Sequence, residues 1–242
     1  MIEKLRDLLT PLIKCSHKVK AFPKELESGD LLKIRFGGHP YSETGSKAPV
    51  CKKCGRPLTF IFQFFTKPES SSGEFLQFFY CFDCSPTGDR NEEGQWLVRG
   101  FSDPQDSKHT QNLTPIEDQV TPCICRLEAV KMLPDFESLE EMNHEAIKVC
   151  EKIDREDPWD VYEEGCIALG CESEPFSSIG GYPIWIQGPV SKNCPICKKE
   201  MEFIAQIDSV PEAGLMWGDA GCVYIFRCSK HSESFAIEMQ CF

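Results

Sequence analysis

The chain contains several short runs in which apolar and aromatic residues follow the period of a β-strand. Residues 235–241 alternate apolar with polar or small side chains, as in a strand buried on one face, and the apolar positions are Phe235, Ile237, Met239 and Cys241. Runs rich in Phe, Ile, Val and Tyr predict further strands over residues 58–66, 74–82, 95–101, 124–132, 201–207 and 222–227. The pattern predicts an α+β protein that is mostly β.

A helical period is clearest between residues 138 and 153. Apolar residues recur there at intervals of three and four, at Leu139, Met142, Ala146, Val149 and Ile153. Ser138 and Glu141 have the spacing of a capping box, in which the two side chains bond to free backbone amides at the start of a helix. We therefore expect one helix over residues 138–153, and a second helical segment within residues 1–30.

The sequence repeats itself at a fixed distance. The turn Gly37-Gly38-His39-Pro40 has a later counterpart in Gly180-Gly181-Tyr182-Pro183, at an offset of 143. The glycine pairs most simply supply backbone conformations with positive φ. The alternative, a glycine-rich cradle for phosphate, would need a GxGxxG or GKS/T motif, which neither copy has.

Further motifs recur in the same order. At the same offset, Cys51-x-x-Cys54 recurs as Cys194-x-x-Cys197, and the Phe-Ile-x-Gln motif also appears twice, at residues 60–63 and 203–206. A second pair, Cys81-x-x-Cys84, recurs as Cys228-x-x-His231 at an offset of 147, so the second copy has a longer loop. Three motifs in one register predict a tandem duplication of β units with pseudo-twofold symmetry.

Each repeat carries two pairs of candidate metal ligands. In Cys-x-x-Cys the chain turns back tightly, so that both sulfurs face one cation, and two such pairs complete the tetrahedron that zinc accepts. The sequence therefore predicts two zinc-ribbon sites, with the ligand sets Cys51, Cys54, Cys81 and Cys84, and Cys194, Cys197, Cys228 and His231. An iron–sulfur cluster, a redox-active dithiol and a set of buried free thiols are the alternatives.

The other eight cysteines have weaker patterns. Cys15-Ser16-His17 and Cys123-Ile124-Cys125 are candidates for a third site. Cys150 on the predicted helix and Cys241 on the last strand lie on apolar faces. Such cysteines are expected to be small buried hydrophobic residues.

The ligand count favours a structural role for the metal. Four protein ligands leave no position open for water or substrate, and no HExxH motif, HxE motif or other general base accompanies the pairs. We therefore expect a non-catalytic, protein-binding module stabilised by two structural zinc ions. The alternative is an enzyme of unknown chemistry with a site between the two units.

These motifs divide the chain into four parts. An N-terminal helical segment (1–30) precedes the first zinc-containing β unit (31–121). A connector with a strand and an amphipathic helix (122–170) leads to the second zinc-containing β unit (171–242).

The negative charge of the chain is concentrated in the connector. Lys and Arg number 26 and Asp and Glu number 38, which gives a formal net charge of −12. Residues 135–164 hold 12 of the acids and three of the bases, and so carry −9 of that charge. This balance argues against direct nucleic-acid binding, which needs a basic face. The segment is either a solvated helix face or an acidic surface for a basic protein partner.

Hydropathy and cysteine usage indicate a cytoplasmic protein without a membrane partner. The longest mostly apolar stretch, residues 58–65, is far shorter than the roughly 20 residues that cross a bilayer. The first seven residues carry acids where a signal peptide needs an apolar core. Fifteen cysteines at short, regular spacings indicate metal ligands in a reducing compartment. The sequence does not indicate an oligomeric state.

Parts of both repeats are similar to two known families. Residues 179–187 (Ile-Gly-Gly-Tyr-Pro-Ile-Trp-Ile-Gln), with residues 203–208, resemble the bacterial YwqG-like family, a domain of unknown function. The first repeat resembles the amino-terminal half of the programmed cell death 2 family in residues 51–63, 79–84 and 96–99. The second repeat resembles the carboxy-terminal half of that family at Trp217-Gly218, Val223-Tyr224 and Cys228.

The second resemblance implies a function. Members of the programmed cell death 2 family are implicated as dedicated chaperones that hold a ribosomal protein before assembly. The resemblance implies a chaperone-like partner of a basic, ribosomal-type protein, which suits an acidic chain. The sequence differs from that family because no separate Cys- and His-rich finger lies between its halves.

Overall fold

The computed structural model describes residues 1–25, 27–84, 94–109 and 120–242. Strands make up 35% of the chain and helices 22%, so the fold is mostly β, as predicted. The helices are α1 (Ile2–Leu9), α2 (Phe136–Met142), α3 (His144–Ile153) and α4 (Pro158–Ala168). The strands are β1 (Lys14–Pro23), β2 (Arg35–Phe36), β3 (Thr59–Lys67), β4 (Ser72–Tyr80), β5 (Trp96–Phe101), β6 (Cys123–Met132), β7 (Cys171–Glu172), β8 (Ser178–Gly180), β9 (Glu202–Asp208), β10 (Cys222–Arg227) and β11 (Phe235–Gln240).

All these strands belong to one sheet. Its order is β11-β10-β9-β8-β1-β6-β2-β3-β4-β5, with antiparallel neighbours throughout, and the short β7 runs parallel to the end of β6. The outer strands β5 and β11 line the two sides of one cavity, so the sheet is nearly closed. All seven predicted strands are confirmed to within two residues at each end.

The two halves of the sheet exchange strands at its centre. β1 lies near the N-terminus, but it pairs with β6 and with β8 of the second half. β6 leads into the second half, but it pairs with β1 and with β2 of the first half. Residues 1–30 were predicted to be helical, and they are helical in α1 but continue as the ten-residue strand β1.

The connector is more helical than predicted. The single helix expected over residues 138–153 is two helices, because the backbone leaves helical geometry at Asn143 (φ −156°). The predicted capping box at Ser138 is wrong: Asp135 caps α2, and its carboxylate accepts hydrogen bonds from the Ser138 amide and hydroxyl at 2.9 and 2.7 Å. Helix α4 was not predicted. The connector helices pack with α1 around a separate apolar cluster that includes Leu5, Leu9, Leu139 and Cys150.

Two buried glutamines at equivalent positions of the repeats make matching hydrogen bonds. The Gln63 side chain accepts from the Tyr41 amide at 3.3 Å and donates to the Lys33 carbonyl at 3.1 Å. Its counterpart Gln206 accepts from the Ile184 amide at 2.9 Å and donates to the Phe176 carbonyl at 2.6 Å. Each glutamine thus fixes the loop after a Gly-Gly turn against the strand that leads away from a cysteine pair.

The glycine pairs have positive φ, as predicted. Gly37 has a φ of 55°, and an added Cβ would lie 2.2 Å from the carbonyl oxygen of Val120. Gly181 has a φ of 81°, and its Cβ would lie 2.7 Å from the side chains of Ser16 and Met132. Both backbone conformation and close approach therefore require glycine at these turns.

The main core is shared by the two halves. Trp217 of the second half is 1% exposed and packs its ring against Phe78, Tyr80 and Phe82 of the first half, with centroid distances of 5.2–6.2 Å. An ion pair joins Arg227 of β10 to Glu74 of β4. The halves therefore form one packed body.

Candidate functional site

The structure brings all eight predicted metal ligands into two clusters. Cys51 and Cys54 lie on the turn before β3, and Cys81 and Cys84 follow the end of β4. Because β3 and β4 are antiparallel neighbours, the turn before one meets the turn after the other. The same relation between β9 and β10 brings Cys194 and Cys197 to Cys228 and His231.

The distances within each cluster suit a tetrahedral metal ion. In each set, the four ligand atoms all lie within 4.8 Å of one another. The sulfurs are 3.7 Å apart in the Cys51–Cys84 and Cys54–Cys81 pairs and 3.6 Å apart in Cys197–Cys228. A tetrahedron with metal–sulfur bonds of about 2.3 Å has edges of about 3.8 Å. The two clusters could therefore hold one metal ion each.

The surroundings of the sulfurs favour the thiolate at selected positions. A hydrogen bond from the Arg56 backbone lowers the pKa of the Cys54 thiol to about 6, whereas loss of solvent raises the pKa of Cys84 to about 12. Loss of solvent also acts to raise the pKa of Cys194, but hydrogen bonds, first from the Ser234 hydroxyl, lower it to about 5. Each cluster thus contains a cysteine that is readily ionised, and the thiolate is the form that binds metal.

The candidate third site does not assemble in the described parts of the chain. There, the two clusters above are the groups in which three or more His, Cys, Asp or Glu side chains come within metal-binding reach. Cys123 is buried and Cys15 is exposed, and neither gathers further ligands around it. Cys150 is buried as predicted, whereas Cys241 is only partly buried.

Comparison with known proteins assigns the chain to a family. A family model named domain of unknown function (DUF1963) matches residues 34–232, a range that includes both clusters. The chain belongs to the DUF1963 family. A search of curated proteins gave no match.

The two cysteine turns of this DUF1963 protein have the same backbone conformation. Gly55 (φ 75°) donates its amide to the Cys51 carbonyl at 2.9 Å, and Lys198 (φ 58°) donates its amide to the Cys194 carbonyl at 2.9 Å. A left-handed residue therefore closes each turn, although only the first turn uses glycine. This shared conformation was not predicted, because the sequence has Lys at the second position.

The positive φ of Gly55 leads to a testable prediction. Substitution Gly55→Ala should lower the free energy of unfolding by about 1 kcal/mol, because a Cβ disfavours left-handed geometry even where space is free. Gly29→Ala is the matched control, since Gly29 has equally open space without a positive φ. Chemical denaturation of both variants measures the difference. Equal stability of the two variants would contradict the assignment of the turn.

Two cavities lie where the halves of the DUF1963 fold meet. One of about 950 Å³ separates β5 from β11, and its lining includes His231 of the second cluster and the chain neighbours of cysteines in both clusters, Val50 on one side and Ile196 on the other. The other, of about 650 Å³, contains His17 and Glu69, whose Nε2 and Oε2 atoms are 3.8 Å apart. That separation is longer than a hydrogen bond.

The acidic connector presents its charge to solvent. Ten of the 12 acids in residues 135–164 are exposed, and the other two, Asp135 and Glu163, are partly exposed. Asp135 and Asp157 cap the starts of α2 and α4. Across the described ranges, no helix is long and apolar enough to span a membrane.

Proposed function

We propose that this protein is a non-catalytic module that holds a basic, ribosomal-type protein on its acidic connector, as a dedicated chaperone would. The observation that carries the proposal is the set of exposed carboxylates on α2, α3 and α4, in a protein whose remaining charge is nearly balanced. The proposed resemblance to the programmed cell death 2 family supports the same kind of partner. The proposed place of action is the cytoplasm.

Zinc is the metal that we propose for both clusters. Three or four thiolates with at most one imidazole, at tetrahedral distances, form the donor set that zinc takes in structural sites. His231 in the second set argues against an iron–sulfur cluster there. Because each set fills four positions, we propose that the metals support the fold and do not activate water.

We further propose that the two halves arose by tandem duplication and that a pseudo-twofold axis relates them. The matching hydrogen bonds of Gln63 and Gln206 support this, as do the matching left-handed residues Gly55 and Lys198. Short 3-10 turns also follow β3 at Pro68–Ser70 and β9 at Pro211–Ala213, again at the offset of the repeat. On this view the YwqG-like resemblance of residues 179–187 extends to the first repeat.

The acidic surface can be tested without disturbing the helices. Glu137, Glu140, Glu141, Glu151, Glu156 and Glu164 are exposed and cap no helix through their side chains. Their joint substitution by Gln should weaken binding of a basic protein about tenfold or more at low salt, because the substitution removes long-range attraction. The measurement is the capacity of the chain to keep acid-extracted ribosomal proteins in solution at several ionic strengths.

A matched control removes the same charge elsewhere. The exposed acids Glu25, Glu200, Glu202, Glu212, Asp219 and Glu233 lie outside the connector, and their neutralisation changes the net charge by the same amount. We expect this control to retain most of the holding capacity. If both variants hold ribosomal proteins equally well, the connector is a spacer and the proposed function is wrong.

A further inference from the structure

An aromatic cavity of about 300 Å³ lies beside the connector, between α2, α4 and the loops around residues 173–175 and 183–186. Five aromatic side chains line it: Phe136, Trp159, Tyr162, Trp185 and Phe242. Trp159 and Phe242 are 46% and 76% exposed, so the cavity opens to solvent through aromatic side chains. It is separate from the metal clusters and from the cavities between the halves.

The aromatic rings form two walls. The Phe136 ring lies 5.5 Å from Trp159 and 5.7 Å from Tyr162, between centroids, and these three belong to α2 and α4. The second wall is formed by Trp185 in the loop at residues 183–186. Its ring centroid lies 4.5 Å from that of Tyr224 in β10. A group that enters the cavity therefore meets aromatic side chains from the helices and from the sheet side.

Hydrogen bonds fix both walls in place. The Tyr162 hydroxyl donates to the Pro134 carbonyl, so this tyrosine offers its ring and not its hydroxyl to a ligand. On the other wall, the Tyr224 hydroxyl donates to the Ile184 carbonyl at 2.7 Å, and the Ile186 amide donates to the Gln240 side chain at 3.0 Å. The cavity is thus formed before any ligand binds, which reduces the entropy lost on binding.

The charged residues of the lining all have the same sign. Asp135, Glu163, Glu172 and Glu174 line the cavity, and the described part of its wall contains no Lys, Arg or His. Asp135 caps α2, and Glu172 binds Lys18 at 2.9 Å. Glu163 and Glu174 have no cationic partner within the described ranges. These four carboxylates do not form a group that could hold a metal ion.

Aromatic faces together with carboxylates recognise an organic cation. A cation above an aromatic ring is attracted by the ring quadrupole, and the attraction grows where water is displaced. Arginine suits such a site better than lysine, because its planar guanidinium stacks on rings and bonds to a carboxylate through two N–H groups.

We propose that this cavity binds an arginine side chain of a basic polypeptide, with Trp159 and Trp185 as the ring contacts and Glu163 as the counter-ion. The inference rests on the proposed function and names the group by which the basic partner is recognised. The residues that line this cavity are unchanged in the variant that carries six Glu→Gln substitutions.

Nuclear magnetic resonance of the ¹⁵N-labelled full chain tests the cavity directly. The probe is an acetylated, amidated heptapeptide with one arginine among glycines and serines, and its counterpart carries citrulline, which keeps the shape and removes the charge. The chain has four tryptophans. The arginine peptide should shift the indole signals of Trp159 and Trp185 in a saturable way and leave those of Trp96 and Trp217 unchanged.

Three variants locate the binding. Trp159→Ala should weaken binding about tenfold and Glu163→Gln at least about threefold, from the loss of a ring contact and of a counter-ion. Ile167→Ala is the control, because Ile167 is an exposed residue of the same helix that lies outside the cavity. If a changed melting temperature shows that Trp159→Ala disturbs the fold, the conservative substitution Glu163→Gln still tests arginine binding.

Each outcome bears on one proposal. The arginine inference is overturned if the arginine peptide gives no saturable shift, if citrulline binds as well, or if only an uncharged proline-rich peptide moves the two signals. Ribosomal proteins held equally well by the wild type and by Trp159→Ala would also overturn it while leaving the proposed function standing. Failure of the wild type to hold any basic protein, with a normal arginine titration, would overturn the function and leave the cavity assignment standing.

Discussion

Substitution Cys54→Ser should release about one metal ion and lower the melting temperature by roughly 6–12 °C, which corresponds to a loss of about 3 kcal/mol or more. Cys54 is one of the four proposed ligands in its cluster, and an unfolded chain has no preformed site, so metal binding there would add directly to folding free energy. Cys197→Ser at the second cluster should behave alike. Elemental analysis should give two zinc ions per wild-type chain purified without chelator and about one in each variant.

The control for this experiment is a cysteine outside the clusters. Cys15→Ser removes an exposed thiol that belongs to neither metal group, and it should leave both the metal content and the melting temperature unchanged. A wild-type protein without bound metal in fully reduced form would refute the metal assignment. A variant that stays fully folded yet loses function completely would indicate a catalytic metal.

Substitution Trp217→Ala should lower the free energy of unfolding by about 3–5 kcal/mol, a loss of roughly 6–20 °C in melting temperature. Its side chain fills the space between the halves against Phe78, Tyr80 and Phe82, and these rings cannot close the cavity that its removal creates. Trp217→Phe should cost less, because it retains part of the volume. Thermal and chemical unfolding of both variants provide the measurement.

The neighbouring residue provides a matched control. Met216 is 54% exposed, so Met216→Ala should change stability by no more than about 0.5 kcal/mol. A small effect of Trp217→Ala, close to that of Met216→Ala, would mean that the halves do not share a core at this point.

The sequence predicted the strands and the two clusters of candidate metal ligands because both leave a local pattern. Residues 59–65 of β3 are buried on both faces, so that strand consists mostly of Phe and Ile, with the buried Gln63 among them. The ligand pairs have a spacing fixed by tetrahedral geometry. Both signals can be read without knowledge of the rest of the chain.

Other features were missed because tertiary contacts determine them. β1 has only two buried side chains, Ser16 and Val19, so it shows neither alternation nor an apolar run, and its partners lie far away along the chain. The helix break at Asn143 follows from that residue capping α3 through its side chain. The aromatic cavity could not be predicted, because its walls come from residues 136–162, from Trp185 and from the last residue, Phe242.

Because the halves exchange their central strands, neither half of the chain can pair all of its strands by itself. If the chain were cut between β5 and β6, β1 in the first fragment would lose both of its described partners, β6 and β8. In the second fragment, β6 would keep only the two-residue β7. Each fragment would expose a long, unpaired strand that a second polypeptide could capture.

Two such fragments are therefore complementary, and neither is an autonomous domain. Their reassembly would depend on concentration, whereas in the intact chain it is intramolecular. In the intact chain, the covalent link thus holds together two halves that would otherwise have to associate as separate polypeptides, as in a domain-swapped dimer.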